Sequence, residues 1–135
     1  MIVVDTGVLY ATIDRTDADC RRCSTFLDTA SGPLRVPVPV IVETAMLVRS
    51  RLGADAEAAF LGASARELDR VDLTDDDWTR VAELAATYAD LRLGVIDAAV
   101  VAVAERLKVT TIATLNHRDF TVVRPSHCDA FELVP

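Results

Sequence analysis

Short apolar runs alternate along the chain with longer segments whose apolar residues recur every three or four positions. The short runs are typical of buried strands, and the longer segments are typical of helices. They predict strands at residues 1–4, 34–36, 68–73 and 109–113, and a last extended stretch that begins at Val122 and Val123. They predict helices at residues 8–13, 17–30, 40–51, 54–67 and 93–108, and a helix that begins at Thr74. Because strands alternate with helices, we expect an α/β fold, a three-layer α/β/α sandwich with a mostly parallel central sheet.

The length and composition suit a single domain over residues 1–135. The chain has 135 residues, of which 51% are hydrophobic, and that is enough to bury a core. Charged residues interrupt every apolar run well short of the roughly 18 residues that a membrane span needs, so we expect a cytoplasmic protein with no membrane partner. The three cysteines are expected to be reduced thiols. Cys20 and Cys23 form a C-x-x-C pair, but His127 and Cys128 lack the spacing of a second zinc-ligand pair, which disfavours zinc.

The charge balance weighs against broad binding to nucleic acid. The net charge is −7, from 21 acidic and 14 basic residues. Two features soften that conclusion, because bound divalent cations would cancel part of the acidic excess and every basic residue except Lys108 is an arginine, which can bind phosphate bidentately. The acidic residues 75–77 are expected to stabilise the first turn of the helix after Thr74, through a capping box and the helix dipole, and not to form a metal site.

Three apolar runs each contain one acidic residue and no basic residue. They are residues 1–13 with Asp5, residues 36–48 with Glu43, and residues 93–104 with Asp97. An ionised carboxylate buried without a partner is destabilised by several kcal/mol at least, so such groups pair with a cation, bind a metal or take up a proton. Singly, Asp5 and Asp97 could cap helices and Glu43 could face solvent. Three such coincidences are less economical than one shared site, and Asp5 follows the first strand, where α/β sheets bind ligands.

A further polar segment follows the strand predicted at residues 111–115. Asn116, His117, Arg118 and Asp119 stand at its carboxyl end and would lie beside Asp5 if the two strands are neighbours. Oxygen ligands from Asp, Glu and Asn are those that Mg²⁺ and Mn²⁺ prefer. A cation held in this way can lower the pKa of a bound water and neutralise charge on a phosphate. The sequence therefore favours metal-dependent hydrolysis of phosphodiesters.

Four ordered motifs resemble those of the PIN-domain nucleases and, within that family, of the VapC toxins of bacterial toxin–antitoxin pairs. The motifs are I-V-V-D-T-G at residues 2–7, V-E-T-A around Glu43, L-G-V-I-D-A-A at 93–99, and T-L-N-H-R-D-F at 114–120. They span nearly the whole chain. Each motif alone is weak, but the ordered set with an apolar setting for each acid is fairly specific.

The resemblance implies an α/β/α sandwich, usually a homodimer, that cleaves RNA with Mg²⁺ or Mn²⁺ and is inhibited by a cognate antitoxin. It implies that Asp5, Glu43 and Asp97 are the metal ligands. It further implies that the hydroxyl of Thr6 supports the first aspartate and that Asp119 lies at the edge of the pocket.

The sequence departs from the family pattern at Asn116, where many relatives carry an aspartate. An asparagine offers a carbonyl oxygen without a charge, which puts a second tightly held metal in doubt. Arg118 is a candidate contact for the substrate phosphate, or a solvated surface charge. His117 is disfavoured as a general base because a metal can activate water without it. Asp90 also matches an often acidic position, although a solvated helix end is an equally good interpretation.

Three alternatives remain open at this point. A haloacid-dehalogenase-type phosphatase would carry D-x-D, whereas Asp5 is followed by Thr6 and Gly7. A receiver domain would need paired N-terminal acids and a late lysine at a strand end, whereas Lys108 ends a predicted helix. A PIN-like binding module without catalytic activity is the third alternative, and Asn116 is its best support.

Overall fold

The computed structural model describes residues 1–135 and contains one five-stranded sheet in which all neighbouring strands are parallel. Its strands are β1 (Ile2–Val4), β2 (Leu34–Pro37), β3 (Arg70–Val71), β4 (Thr111–Ala113) and β5 (Glu132–Val134). Their order across the sheet is β3-β2-β1-β4-β5. The chain therefore moves outwards from β1 in one direction and then crosses to β4 on its other side. The carboxyl ends of β1 and β4 form the topological switch point at which α/β sheets bind ligands.

Seven helices connect and cover the strands, as expected for an α/β/α sandwich. They are α1 (Thr6–Ile13), α2 (Cys20–Thr29), α3 (Val38–Leu52), α4 (Ala54–Glu67), α5 (Asp75–Thr87), α6 (Val95–Leu107) and α7 (His117–Val122). Helix α1 packs on α2 and α3, α3 packs on α4, and α5 packs on α6. A membrane-spanning helix would need a longer apolar stretch than any of these seven helices provides.

Helix α6 is the central element of the core. Every residue from Ala98 to Ala104 is at most 2% exposed, and the helix packs against β1, β2, α3 and α5. Small and β-branched side chains allow this close approach on all sides, which explains why the segment is apolar around its whole circumference. Asp97 directly precedes the buried stretch, so the packing of α6 fixes the position of its backbone.

Two partly buried ion pairs join α5 to α6. Arg80 binds the Glu105 carboxylate with two hydrogen bonds, from Nε at 2.7 Å and from Nη2 at 3.0 Å. The Nε of Arg106 donates to Asp77 at 2.8 Å. Asp77 also accepts from the Thr74 amide, which completes the capping box predicted at the start of α5. The acidic triplet of residues 75–77 therefore stabilises a helix start.

The predicted strand and helix order is confirmed except near the carboxyl terminus. The extended stretch predicted to begin at Val122 and Val123 is wrong, because α7 runs through Val122 and the last strand is β5. The physical reason is the Asn116 side chain, which caps α7 by accepting a hydrogen bond from the Asp119 amide. A cap of this kind outweighs the strand propensity of two valines.

Candidate active site

The candidate site lies at the switch point, where Asp5 follows β1 and Thr114 follows β4. The two chain segments are joined there by a hydrogen bond from the Asp5 amide to the Ala113 carbonyl oxygen at 2.9 Å. None of the four surface cavities includes Asp5, Glu43 or Asp97 in its lining.

Asp5 is buried and held by two hydrogen bonds. Its Oδ1 accepts from the Thr6 amide at 2.7 Å, and its Oδ2 accepts from the Thr114 hydroxyl at 2.7 Å. Burial raises the pKa of the Asp5 carboxyl, and these two hydrogen bonds oppose the increase. Asp5 also precedes α1 as its N-cap, so the helix-capping alternative is correct for this residue. The capping role does not explain why Asp97 and Glu43 lie in the same environment.

Asp97 occupies the first turn of α6 and is half-buried. Burial raises the pKa of its carboxyl to about 7, and the negative charges of Asp5, Asp119 and Glu43 add to the increase. The amide Nδ2 of Asn116 lies 3.5 Å from Asp97 Oδ2 and opposes it weakly. The structure therefore brings the three predicted acids close enough to repel one another, and no arginine or lysine pairs with Asp97.

Glu43 is half-buried on α3 and takes part in no ion pair. Its negative charge raises the pKa of Asp5 and of Asp97, so its carboxylate shares their electrostatic environment. Glu43 and Asp97 reach this environment from two helices that pack together. The fold thus joins residues that are far apart in the sequence.

Asn116, Asp119 and Arg118 form a hydrogen-bonded chain beside Asp97. The amide Nδ2 of Asn116 donates to Asp119 Oδ2 at 2.9 Å, and the Nε of Arg118 donates to Asp119 Oδ1 at 2.9 Å. These bonds lower the pKa of the Asp119 carboxyl, with Arg118 contributing most. As placed, Asn116 directs its nitrogen towards the acids and uses its oxygen to cap α7. The sequence prediction that this asparagine offers an oxygen to the site does not match this arrangement.

Thr114 is a site residue that the sequence analysis missed. Its hydroxyl is fully buried, donates to Asp5 Oδ2 and accepts from the backbone amide of Asn116 at 2.9 Å. It gives Asp5 the hydroxyl support expected from Thr6. The Thr6 hydroxyl is itself buried with no hydrogen-bond partner, and only its backbone amide contacts Asp5. Its position directly after an apolar strand carried no separate signal, because threonine also has the β-branched shape that strands favour.

The other flagged residues lie outside this cluster. His117 and Asp90 are exposed. Cys20, Cys23 and Cys128 are free thiols, and burial raises the pKa of Cys23. His127 Nε2 lies 2.7 Å from the Val109 carbonyl oxygen, next to the end of α6 that is remote from Asp97.

The donor set of the cluster fits a hard divalent cation in chemistry. It consists of carboxylate oxygens whose mutual repulsion no cationic side chain relieves, and Mg²⁺ and Mn²⁺ prefer such ligands. As the side chains stand, no group of three His, Cys, Asp or Glu residues is arranged to hold a metal ion. The carboxylates would have to turn towards a common point to bind one.

Comparisons with known proteins agree with the fold and with the motifs. Residues 2–124 match the family model described as the PIN domain. The ribonuclease VapC26 of Mycobacterium tuberculosis is 33% identical over 137 residues, which cover 99% of this chain and all of that protein. The chain therefore belongs to the PIN-domain family, and the resemblance to VapC proteins is confirmed.

Two solved structures share the fold. VapC20 of Mycobacterium tuberculosis, described as a toxin that cleaves the sarcin-ricin loop, has a TM-score of 0.78 at 19% identity, over 83% of this chain and 87% of that one. A toxin–antitoxin complex from Klebsiella pneumoniae has a TM-score of 0.68 at 17% identity, over 91% and 92% of the two chains. At these identities the likeness supports the sandwich architecture alone.

Proposed function

We propose that this protein is a Mg²⁺- or Mn²⁺-dependent endoribonuclease that acts as the toxin of a toxin–antitoxin pair. The observation that carries the proposal is that Asp5, Glu43 and Asp97 share one electrostatic environment at the switch point and that none of them takes part in an ion pair. The full-length similarity to a protein named ribonuclease VapC26 supports the substrate class.

Asp5, Glu43 and Asp97 would hold the cation. A bound divalent ion would supply a water of lowered pKa and would neutralise charge that develops on the phosphate oxygens. The Thr6 amide and the Thr114 hydroxyl orient the two oxygens of Asp5. Packing of α6 fixes the backbone of Asp97.

Asn116, Asp119 and Arg118 support this arrangement from one side. The side-chain amide of Asn116 donates to Asp119 and lies near Asp97, so it limits the directions in which the Asp97 carboxylate can turn. We assign Asn116 this orienting role and assign Asp119 the role of holding Asn116. One cation between the three acids is sufficient for the proposed chemistry.

Cleavage of total cellular RNA by the purified, antitoxin-free chain tests this function. We expect discrete fragments in Mg²⁺ or Mn²⁺ and none in EDTA. Asp97→Asn should abolish cleavage because it removes one ligand of the cation. It should keep the fold because it changes one charge at almost constant size in the first turn of α6. Asp55→Asn is the matched control, since Asp55 also lies in a first helical turn, on α4, but is exposed. Cleavage in EDTA, or equal cleavage by Asp97→Asn, would refute the proposal.

The proposed partners are a cognate antitoxin and a second copy of the chain. The Klebsiella pneumoniae structure of the same fold is a toxin–antitoxin complex.

Helix α3 exposes Val42 and Met46, which are 53% and 65% exposed and lie one turn apart on one face. We expect Met46→Glu to convert a dimer into a monomer in light scattering, whereas Leu61→Glu on α4 should not. A monomeric wild-type chain would refute the dimer. A cytoplasmic location stays a prediction.

A binding module without catalytic activity is the alternative that a specific observation favours. Asn116 gives the site one acid fewer than the family pattern, and no three acids are arranged around an ion as the side chains stand. Measurable Mn²⁺ binding without cleavage of any RNA would support it. Membership of the PIN-domain family removes the phosphatase and receiver-domain alternatives.

A further inference from the structure

Helix α2 carries two thiols in its first turn. Cys20 is the first residue of the helix, and Cys23 follows three residues later. Residues with this spacing in a helix have Cα atoms about 5 Å apart, which lies inside the range of about 4.4–6.8 Å that disulfides span. Their Cβ atoms are about 5–6 Å apart, against about 3.5–4.5 Å in a disulfide. A disulfide between them therefore needs the Cβ atoms to approach by about 1–2 Å.

The start of α2 can supply this small approach. The Cys20 amide donates to the Asp17 carbonyl oxygen at 3.1 Å, three residues back, as in a tight turn and not as in an α-helix. Asp19 is the N-cap, but its side chain makes no capping hydrogen bond and instead pairs with Arg22 at 2.8 Å. Helix ends commonly tighten to three-residue spacing. The adjustment that a disulfide needs is therefore confined to the first turn.

The two thiols differ in their access to solvent. Cys20 is half-buried, whereas Cys23 is fully buried in the hydrophobic core. Burial raises the pKa of the Cys23 thiol, and a negative charge on Cys20 is among the smaller contributions to the increase. The two sulfur atoms therefore lie near enough to interact. A reagent from solvent meets Cys20 first, and Cys23 is in place to react with the product that forms there.

We infer that Cys20 and Cys23 form a reversible disulfide by exchange with a low-molecular-weight disulfide. In the first step the Cys20 sulfur gives up its proton and attacks one sulfur of the small disulfide, whose S–S bond breaks and whose other half leaves as a thiolate that takes up a proton. In the second step the Cys23 sulfur gives up its proton and attacks the Cys20 sulfur, and the second small thiolate leaves and is protonated. Two protein thiols are oxidised, and one small disulfide is reduced to two thiols. The inference does not depend on the proposed function.

Cys128 provides the comparison within the chain. It is a free, half-buried thiol in the segment before β5, and burial raises its pKa. The charges that also act on it are those of Asp129 and Glu105, and neither Cys20 nor Cys23 is among them. Its sulfur lies 3.5 Å from the Ala130 carbonyl oxygen. Cys128 is therefore not placed to pair with either cysteine of α2.

Mass spectrometry of the full chain tests the inference. The chain is incubated with glutathione and glutathione disulfide at a series of ratios, quenched with acid and alkylated with N-ethylmaleimide. The reduced chain takes up three maleimides, and a chain with one disulfide takes up one. Trypsin cleaves after Arg21 and Arg22, between the two cysteines, so a non-reducing digest keeps residues 16–21 joined to residues 23–35 only when the disulfide is present.

We expect the wild type to give the joined peptides in glutathione disulfide and to lose them in excess glutathione. Cys23→Ala should stop at one glutathione on Cys20, because the second thiol is missing. Cys20→Ala should leave Cys23 unmodified, because burial shields it from the reagent. Cys128→Ala is the matched control and should form the joined peptides as the wild type does. Circular dichroism checks the fold of each variant, and the wild-type digest decides the inference even if a variant does not fold.

Three results would overturn the inference. A wild-type chain that stays fully reduced in glutathione disulfide alone would show that Cys20 does not react. A wild-type chain that stops at a glutathione adduct on Cys20 would show that Cys23 does not reach it. A digest in which residues 119–135, which carry Cys128, are joined to either peptide of α2 would assign the disulfide to a different pair.

Discussion

Replacement of Thr114 by valine removes one hydroxyl from the site at almost constant volume. The hydroxyl is fully buried, donates to Asp5 Oδ2 at 2.7 Å and accepts from the backbone amide of Asn116 at 2.9 Å. In Thr114→Val, Asp5 keeps a single fixed hydrogen bond, from the Thr6 amide, and one oxygen of a buried carboxylate loses its donor.

The expected loss of unfolding free energy is about 2 kcal/mol, since a hydrogen bond to a charged group contributes about 1.5–3 kcal/mol. The second expected effect is on metal affinity. Residues that orient a metal ligand change affinity by about 10–100-fold when they are removed, so we expect Mn²⁺ to bind Thr114→Val at least about tenfold more weakly.

Urea denaturation and titration calorimetry with Mn²⁺ measure the two effects separately. Thr114→Ser is the control, because serine keeps the hydroxyl and should retain most of the metal affinity. Equal Mn²⁺ affinity in Thr114→Val and the wild type would show that Thr114 does not orient a metal ligand, and the assignment of Asp5 would lose its structural support.

Two further predictions concern stability away from the site. Burial opposes ionisation of Glu105, but hydrogen bonds from Arg80 and the Ser126 amide outweigh it and lower the pKa of the carboxyl. The stability that the ionised Glu105 carboxylate contributes is complete above the ordinary pKa of 4.5 and is lost as the pH falls further. At neutral pH, Glu105→Gln should lower the free energy of unfolding by about 2 kcal/mol, because hydrogen bonds to a charged group are lost. In urea denaturation the difference from the wild type should narrow below about pH 4.5, and a constant difference would contradict this. Lys108 is the C-cap of α6 and has a φ of +56°. Lys108→Gly should therefore raise the free energy of unfolding by about 1 kcal/mol. A lower melting temperature would contradict that.

The acids of the site were predictable because each interrupts an apolar run. A lone carboxylate in such a run is visible in the sequence without any knowledge of the fold, and Asp5, Glu43 and Asp97 all meet that condition. Their common environment was only an inference, since it depends on β1 lying beside β4 and α3 packing against α6. The parallel sheet and its position relative to Asp5 followed from the alternation of elements.

Thr114 and the orientation of Asn116 could not be read from the sequence. A threonine at a strand end has the β-branched shape that strands favour, so its hydroxyl gave no separate signal. An asparagine amide can present oxygen or nitrogen, and only the neighbours decide which. Here Asp97 and Asp119 face the nitrogen. The misplaced last strand had a similar cause, since Asn116 caps a helix where two valines favour a strand.

Calorimetric titration of Mn²⁺ tests most directly whether Asp5, Glu43 and Asp97 form one metal site. The account predicts measurable binding to the wild type, and a large loss of affinity in each of Asp5→Asn, Glu43→Gln and Asp97→Asn, because each removes one ligand of the same ion. Asp55→Asn should bind as the wild type does. Undiminished Mn²⁺ binding by any of the three site variants would contradict a shared site.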